Sequence, residues 1–292
     1  MTLHAQFARP RNLEQAVALL ENLGAGTVLI AGGQEIMPHV NYGRLRPAVF
    51  VDINALPELA GIGTERDVVR IGALTVHRQL QRDPIITQSL PLLASAAAQI
   101  GGGWQVHNRG TVGGNIAALH PLYDIIPPLM ALEAEVEIAS TAGVSRVPLG
   151  TLVHESARVL GAAGVLTGVL VKPQRLSDGW SYQKLKMVEG SYGSANAAAI
   201  VALDSARRIV DLRVVIGAVS ERPLDVSEPL RHLALGRSYD ERLAGEVEQT
   251  CRSLVTQPLA DQQGGAEYRV GMAGVMARRA VETALRCAAA SV

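Results

Sequence analysis

The 292-residue sequence predicts an α+β protein, and three observations carry that expectation. The chain opens in a strand–helix–strand rhythm. A second alternation of strands and short helices follows, and the last third passes from three extended runs to long helical patterns. With 48% hydrophobic residues it has enough apolar side chains for two or three separate cores.

Asn12 with Gln15 three residues on gives a capping-box start, and Ala16, Leu19, Leu20 and Leu23 recur at helical spacing until Gly24 stops the run. Strands are expected at Thr27–Ile30 and Ala48–Ile53, and a first domain over 1–56. A second domain over 57–175 takes strand 68–73, a short helix 75–81 and a longer helix 85–100. A helix over 124–133 and strands 135–140, 144–148 and 165–171 complete it. Six glycines between Gly101 and Asn115, without a clear period, read as a loop with a special task. The third domain, 176–292, is expected to be a three-stranded antiparallel meander over 180–187, 195–204 and 209–217, backed by helices 240–254 and 266–290.

Lys+Arg and Asp+Glu balance at 27 each, no basic run occurs and aromatics are scarce, which argues against nucleic-acid binding. Only two cysteines, Cys251 and Cys287, are present, so this chain by itself builds neither a disulfide framework nor a cysteine-ligated iron–sulfur cluster, and no metal site is expected. Met1–Ala5 lacks the basic start of a signal peptide, and no stretch reaches the roughly 18 apolar residues of a membrane span. A cytoplasmic protein without a membrane span is the expectation.

The candidate site residues gather around two glycine pairs, Ala31-Gly32-Gly33-Gln34-Glu35 and Thr111-Val112-Gly113-Gly114-Asn115. Glycine permits positive φ and close approach to its amide, so each pair is either a simple turn or an anion cradle, with polar neighbours suited to phosphate or ribose oxygens. Asp124 is either a helix cap or a ligand for a ribose hydroxyl. Lys184 and Lys186 alternate on one strand face, either as a solvated edge or as cations beside an electron-rich ring, and Tyr192 stands at a glycine-flanked turn. Gly61-Ile62-Gly63 fails the dinucleotide fingerprint at its third glycine, and His154-Glu155 lacks a second zinc ligand at Arg158. His77 and His107 read as structural.

The segments AGGQE at Ala31–Glu35, VDI at Val51–Ile53, IGALTVH at Ile71–His77 and NRGTVGGN at Asn108–Asn115 occur in a specific order with the Pro121…Asp124…Pro127 stretch, YQKLK at Tyr182–Lys186 and AEYRVGMAGVMARRA at Ala266–Ala280. Over essentially its full length the chain resembles the FAD-binding medium subunit of the molybdenum hydroxylases, the group that includes carbon monoxide dehydrogenase and xanthine dehydrogenase. The resemblance implies a vanillyl-alcohol-oxidase-like (PCMH-type) FAD-binding fold in the first two domains, with both glycine loops around the FAD pyrophosphate. It carries flavin contacts onto Ala31, Gly32, Gly33, Gln34, Glu35, Thr111, Gly113, Gly114, Asn115, Asp124 and Lys184, with Leu166 and Tyr192 beside them. By the same implication Asp124 holds adenosine-side hydroxyls, Lys184 lies near the isoalloxazine and Tyr192 covers a ring face.

Three positions depart from the family pattern: His107 where arginine is usual, Ser191 where aspartate is usual, and Gly102-Gly103-Trp104 before the second loop. The function implied is electron transfer with no catalytic acid or base on this chain. Electrons pass from a large molybdopterin subunit through two [2Fe–2S] clusters of a small subunit to FAD here, and on to an external acceptor, in a dimer of heterotrimers. The alternative is a stand-alone flavin-dependent oxidase or dehydrogenase acting on its own small substrate.

Overall fold

A computed structural model describes residues 5–24, 26–161 and 163–290. Met1–His4, most of the stretch read for a targeting signal, lie outside the described residues. In chain order the elements are β1 (Gln6–Ala8), α1 (Leu13–Leu23), β2 (Thr27–Ile30), α2 (Ile36–Asn41), β3 (Val49–Asp52), β4 (Ile62–Glu65), β5 (Val68–Gly72), α3 (His77–Arg82), α4 (Pro84–Ser89) and α5 (Pro91–Ala98). Next come α6 (Gly103–Arg109), α7 (Val112–Ala118), α8 (Ile126–Ala131), β6 (Glu135–Ser140), β7 (Gly143–Pro148), α9 (Leu149–Leu160) and β8 (Val165–Val171). The chain ends with β9 (Gly179–Lys186), β10 (Gly193–Leu203), β11 (Ile209–Gly217), β12 (Leu224–Asp225), α10 (Ser227–Ala234), α11 (Glu241–Ser253) and α12 (Ala266–Ala290). Two compact units interleave along it: Met1–Ile85 with Gly103–Ala118 and Ala134–Lys172, and Ile86–Gly102 with Leu119–Glu133 and Pro173–Val292.

The first unit holds a parallel three-stranded sheet, order β1-β3-β2, and an antiparallel five-stranded sheet, order β4-β5-β8-β6-β7. Helix α1 starts where the Asn12 carboxamide accepts from the Gln15 amide, and it buries Ala16, Val17 and Leu20. Those side chains share one core with Val51 and Ile53, and with Ala139 and Val165 of the larger sheet, so the two sheets are joined by apolar burial. Glu137 of β6 ties the larger sheet together by accepting from Arg70, Arg146 and Thr167.

The second unit is built on an antiparallel sheet of order β12-β11-β10-β9. One face of β10 (Ala195, Ala197, Ala199, Val201) packs on α12, in one core with residues of α10 and α11, and the small side chains let α12 lie close. Gly179 marks the closest point, because a β-carbon there would overlap the Ala284 carbonyl. Arg269 of α12 is fully buried, bonding the carbonyls of Ser194 and Ala218 and the carboxylate of Asp261. It locks the start of β10 to the end of β11.

Several elements differ from the sequence expectation. Helix 85–100 divides into α4 and α5, because Pro91 lacks an amide hydrogen and forces Leu90 out of the helical region (φ −134, ψ 52). The glycine-rich 101–115 stretch forms α6 and α7, supported by tertiary contacts that a periodicity reading does not register. Ile62–Glu65, set aside as a failed fingerprint, is the edge strand paired with β5. Helix α9 was passed over although Leu149, Leu152, Val153 and Leu160 recur at helical spacing, whereas the short β1, α2 and β12 carry no periodic signal long enough to read, and β12 extends the meander to four strands. Arg269→Leu leaves two buried carbonyls unpaired and is expected to lower stability by about 3 kcal/mol, measured by denaturant unfolding of the full chain.

Candidate functional site

Both glycine loops lie in the first unit, and they meet. Residues Ala31–Glu35 continue from β2 into α2, and a β-carbon on Gly32 would overlap the Arg109 carbonyl oxygen, with the Gly110 α-carbon 3.3 Å away. Gly33 has φ +72, a backbone state that favours glycine. On the other side, a β-carbon on Gly113 would come within 2.9 Å of the Ala73 carbonyl oxygen, so α7 docks on the end of β5 only with glycine there.

The amides of the two loops are used differently. In the second loop Val112 donates to Thr75 (2.9 Å), Gly113 to Ala73 (2.8 Å) and Asn115 to Thr111 (2.9 Å), while Gly114 donates to the Thr111 hydroxyl (3.1 Å). All four amides are therefore spent. The expectation that both pairs offer backbone donors is narrowed: in the first loop Ala31, Gly32, Gly33 and Gln34 keep amides that donate no hydrogen bond, whereas in the second Thr111 alone of the five does. The second loop instead offers side-chain groups, namely the remaining donor of the Thr111 hydroxyl and the buried Asn115 carboxamide oxygen, which has no partner. The Gln34 carboxamide folds back onto the Gly32 carbonyl (3.3 Å), and the Glu35 carboxylate is held by His39 at 3.1 Å.

His77 braces the second loop. Its amide donates to the Gly110 carbonyl (3.0 Å), and its imidazole is buried against the Gly110 backbone with Nδ1 unpartnered. Burial, with His107 nearby, lowers its pKa from 6.5 to about 4, so the ring is neutral at physiological pH. His107, one departure from the family pattern, lies 2.6 Å from the Gln81 carboxamide, and the neighbouring Trp104 stacks under Arg78 at 4.2 Å. Leu166 lies in β8 opposite Ile138 and is largely buried.

The second unit holds a different cluster. Asp124 is buried and is not a cap, since the N-cap of α8 is Ile125. Its Oδ2 accepts from Lys184 Nζ at 2.8 Å and its Oδ1 from the Tyr182 hydroxyl at 2.8 Å, while Lys184 also donates to the Gln99 carbonyl at 2.9 Å. The Lys184 side chain has no solvent exposure, so it is neither a solvated edge nor a bare cation. Burial raises the pKa of Asp124, and the Lys184 ammonium and Tyr182 hydroxyl oppose that rise. The Tyr182 phenol is pushed well above its usual value by burial and by the same carboxylate. Lys186, two residues on, is partly exposed and pairs with Glu189 at 2.7 Å.

Asp124 and Lys184 form one ion pair, so placing one at the adenosine end and the other at the isoalloxazine end of an extended dinucleotide is corrected. Tyr192 is partly exposed and stacks with His120 (5.4 Å between centroids), which stacks on Tyr123 (4.8 Å). Ser191 steadies this turn by bonding the Val188 and Tyr192 carbonyls. The sequence reading missed Tyr182, His120, Tyr123 and the fully buried Asn196, whose carboxamide has no partner and which lies opposite Lys184 in the sheet. The first three had a signal, because each lies within a few residues of Asp124 or Lys184.

Comparison with known proteins gives the class. Residues 3–173 match the FAD binding domain in molybdopterin dehydrogenase, and residues 180–284 match the CO dehydrogenase flavoprotein C-terminal domain. The chain is 34% identical to the carbon monoxide dehydrogenase medium chain of Hydrogenophaga pseudoflava, covering 97% of this chain and 98% of that one. It is 30% identical to the 6-hydroxypseudooxynicotine dehydrogenase complex subunit alpha of Paenarthrobacter nicotinovorans, covering 94% and 92%. A solved carbon monoxide dehydrogenase from Hydrogenophaga pseudoflava superposes with a TM-score of 0.92 at 31% identity, covering 98% of this chain and 99% of that one. Together these define an FAD-binding component of an oxidoreductase. The chain belongs to the family of FAD-binding medium subunits of the molybdenum hydroxylases.

The His77 environment yields a pH prediction. Its folded pKa is depressed, so the unfolded chain binds more protons between pH 6.5 and 4, and stability present above 6.5 is lost as pH falls through that window. The loss is about 3 kcal/mol. Denaturant titrations across the window should show it, and His77→Leu should remove that part of the slope.

Proposed function

We propose that this chain binds FAD as a relay, receiving electrons from two [2Fe–2S] clusters on a small partner subunit and passing them to an external acceptor. The substrate is oxidised at a molybdopterin centre on a large subunit, and the complex is a dimer of heterotrimers. The observation that carries the FAD assignment is the meeting of the two glycine loops with the Gly32, Gly33 and Gln34 amides unspent. Consecutive free amides on a glycine turn form an anion nest that suits a pyrophosphate. The buried, unpartnered Asn115 oxygen beside the second loop suits a hydroxyl of the same cofactor. The residues present therefore fit FAD.

On this reading Ala31–Glu35 hold the pyrophosphate through backbone amides, while Thr111 and Asn115 contribute side-chain bonds. Gly113 and Gly114 are required for the shape of the second loop. Leu166 offers an apolar contact. Lys184, named by the resemblance, is buried in the second unit with its charge balanced by Asp124 and a further bond to the Gln99 carbonyl. Tyr192, with His120 and Tyr123, offers an aromatic face to a flavin ring. When bound, FAD supplies the redox chemistry, and the protein supplies binding, orientation and electrostatics.

The partner assignment rests on chemistry as well as resemblance. A [2Fe–2S] cluster takes four cysteine ligands, and this sequence has two. Cys251 is buried in the helical core with its thiol pushed up to about 12, whereas Cys287 is exposed. Relatives are described as a medium chain and as a subunit of a dehydrogenase complex, in keeping with clusters borne by other chains.

The test is flavin content in the assembled complex. Gly33→Asp places a carboxylate against the amide nest at φ +72 and is expected to lower bound flavin at least tenfold by absorbance. Gly43→Asp, at φ +69 with open space around it, imposes similar backbone strain and should retain flavin. A Gly33→Asp complex with full flavin content contradicts the loop assignment, and turnover of a small substrate by the isolated chain would establish the stand-alone reading.

A further inference from the structure

The second unit holds a cavity none of whose lining residues enters the flavin reading. It has a volume of about 600 Å³ and lies where the β10–β11 hairpin, the segment after α10 and the C-terminal half of α12 come together. That volume is usual for a small-molecule site. Leu203 at the end of β10 and Leu285 and Ala289 of α12 give it apolar walls, with Tyr239 on the side of the segment after α10.

Arg207 and Arg286 also line the cavity, and among the described residues neither has a carboxylate partner. The arginines around them are paired: Arg208 with Asp204 at 2.9 Å, Arg237 with Glu246 at 2.6 Å and Arg278 with Glu248 at 3.2 Å. Arg286 bonds the neutral Thr283 hydroxyl at 3.0 Å. The Arg207 backbone is left-handed, with φ +60, a state that suits glycine or asparagine better than a long side chain. The turn is fixed in that state. The Asp204 carboxylate accepts from the Ala206 amide at 2.9 Å and the Arg208 amide at 2.8 Å, and its carbonyl accepts from the Arg207 amide at 2.9 Å. An arginine at a position that penalises it, on the wall of a cavity, points to a use for its side chain there.

We propose that this cavity binds a small amphipathic monocarboxylate, its carboxylate on the Arg207 and Arg286 guanidinium groups and its hydrocarbon body against Leu203, Leu285 and Ala289. A guanidinium meets a carboxylate with two parallel N–H donors, and the apolar walls take the rest of the molecule out of water. Glu282 lines the same cavity, so two cations and one anion leave a single net positive charge. That balance selects a monoanion over a dianion. The site lies within the second unit and does not depend on the FAD reading.

The experiment is calorimetric titration of the full chain with octanoate, and with octylamine as a cationic analogue of similar size. Octanoate is expected to saturate one site, and octylamine to bind at least about tenfold more weakly. Arg207→Asn and Arg286→Gln should each weaken octanoate about tenfold, the loss expected when a hydrogen bond to a charged group is removed. Asparagine suits the left-handed backbone, so Arg207→Asn should melt no lower than the wild type, which separates lost binding from lost folding. Glu282→Gln removes a like charge and should tighten octanoate. Arg279→Gln, exposed on α12 outside the cavity, should leave the affinity unchanged. Octanoate that does not saturate, octylamine that binds equally well, or an affinity that survives both cavity arginine substitutions overturns the proposal. So does weaker binding by Glu282→Gln, or an equal loss in Arg279→Gln, which would mean attraction to surface charge only.

Discussion

The close approach of Gly32 to the Arg109 carbonyl is the constraint on which the first unit's candidate site depends. It requires the absence of a side chain at 32, and it joins the end of β2 to the segment that leads into α7. Once that contact is made, the rest is arithmetic of hydrogen bonds. The second loop spends its amides on Ala73, Thr75 and Thr111 and becomes rigid, while the first turns over at Gly33 with its donors pointing at nothing in the protein. One loop is thus bonded into the scaffold and the other keeps its amides open, although their sequences look alike. The open amides of the first loop are partly exposed, and on the proposed reading they are the donors that meet the FAD pyrophosphate.

The second unit solves a different electrostatic problem. A buried lysine beside a buried aspartate costs desolvation of two charges, tolerated only with good geometry and further hydrogen bonds. Here Tyr182 and Gln99 supply those bonds, one to each member of the pair. The outcome is an oriented, nearly neutral unit in place of a free cation.

Much of this was legible in the sequence, for reasons that can be stated residue by residue. Helix α1 was readable because a cap, a period and a terminal glycine agree from Asn12 to Gly24, and β9 to β11 because extended runs alternate with turn residues. The glycine pairs were visible as places where a backbone must come close to something. What each approaches was not, since the contacts of Gly32 with Arg109 and of Gly113 with Ala73 depend on tertiary packing. For the same reason Lys184 read as an edge lysine: the strand is at the sheet edge, but Asp124 and Gln99 close over it. The pairing of Lys184 with Asp124, separated by 60 residues in sequence, leaves no local pattern.

The division of labour between the loops can be measured by hydrogen exchange on the full chain with and without FAD. The account predicts that the Gly32, Gly33 and Gln34 amides exchange fast in the free protein and gain protection when FAD binds. The Gly113, Gly114 and Asn115 amides, already bonded, are predicted to be protected in both states. Protection gained on FAD binding at the second loop, with the first unchanged, would contradict it.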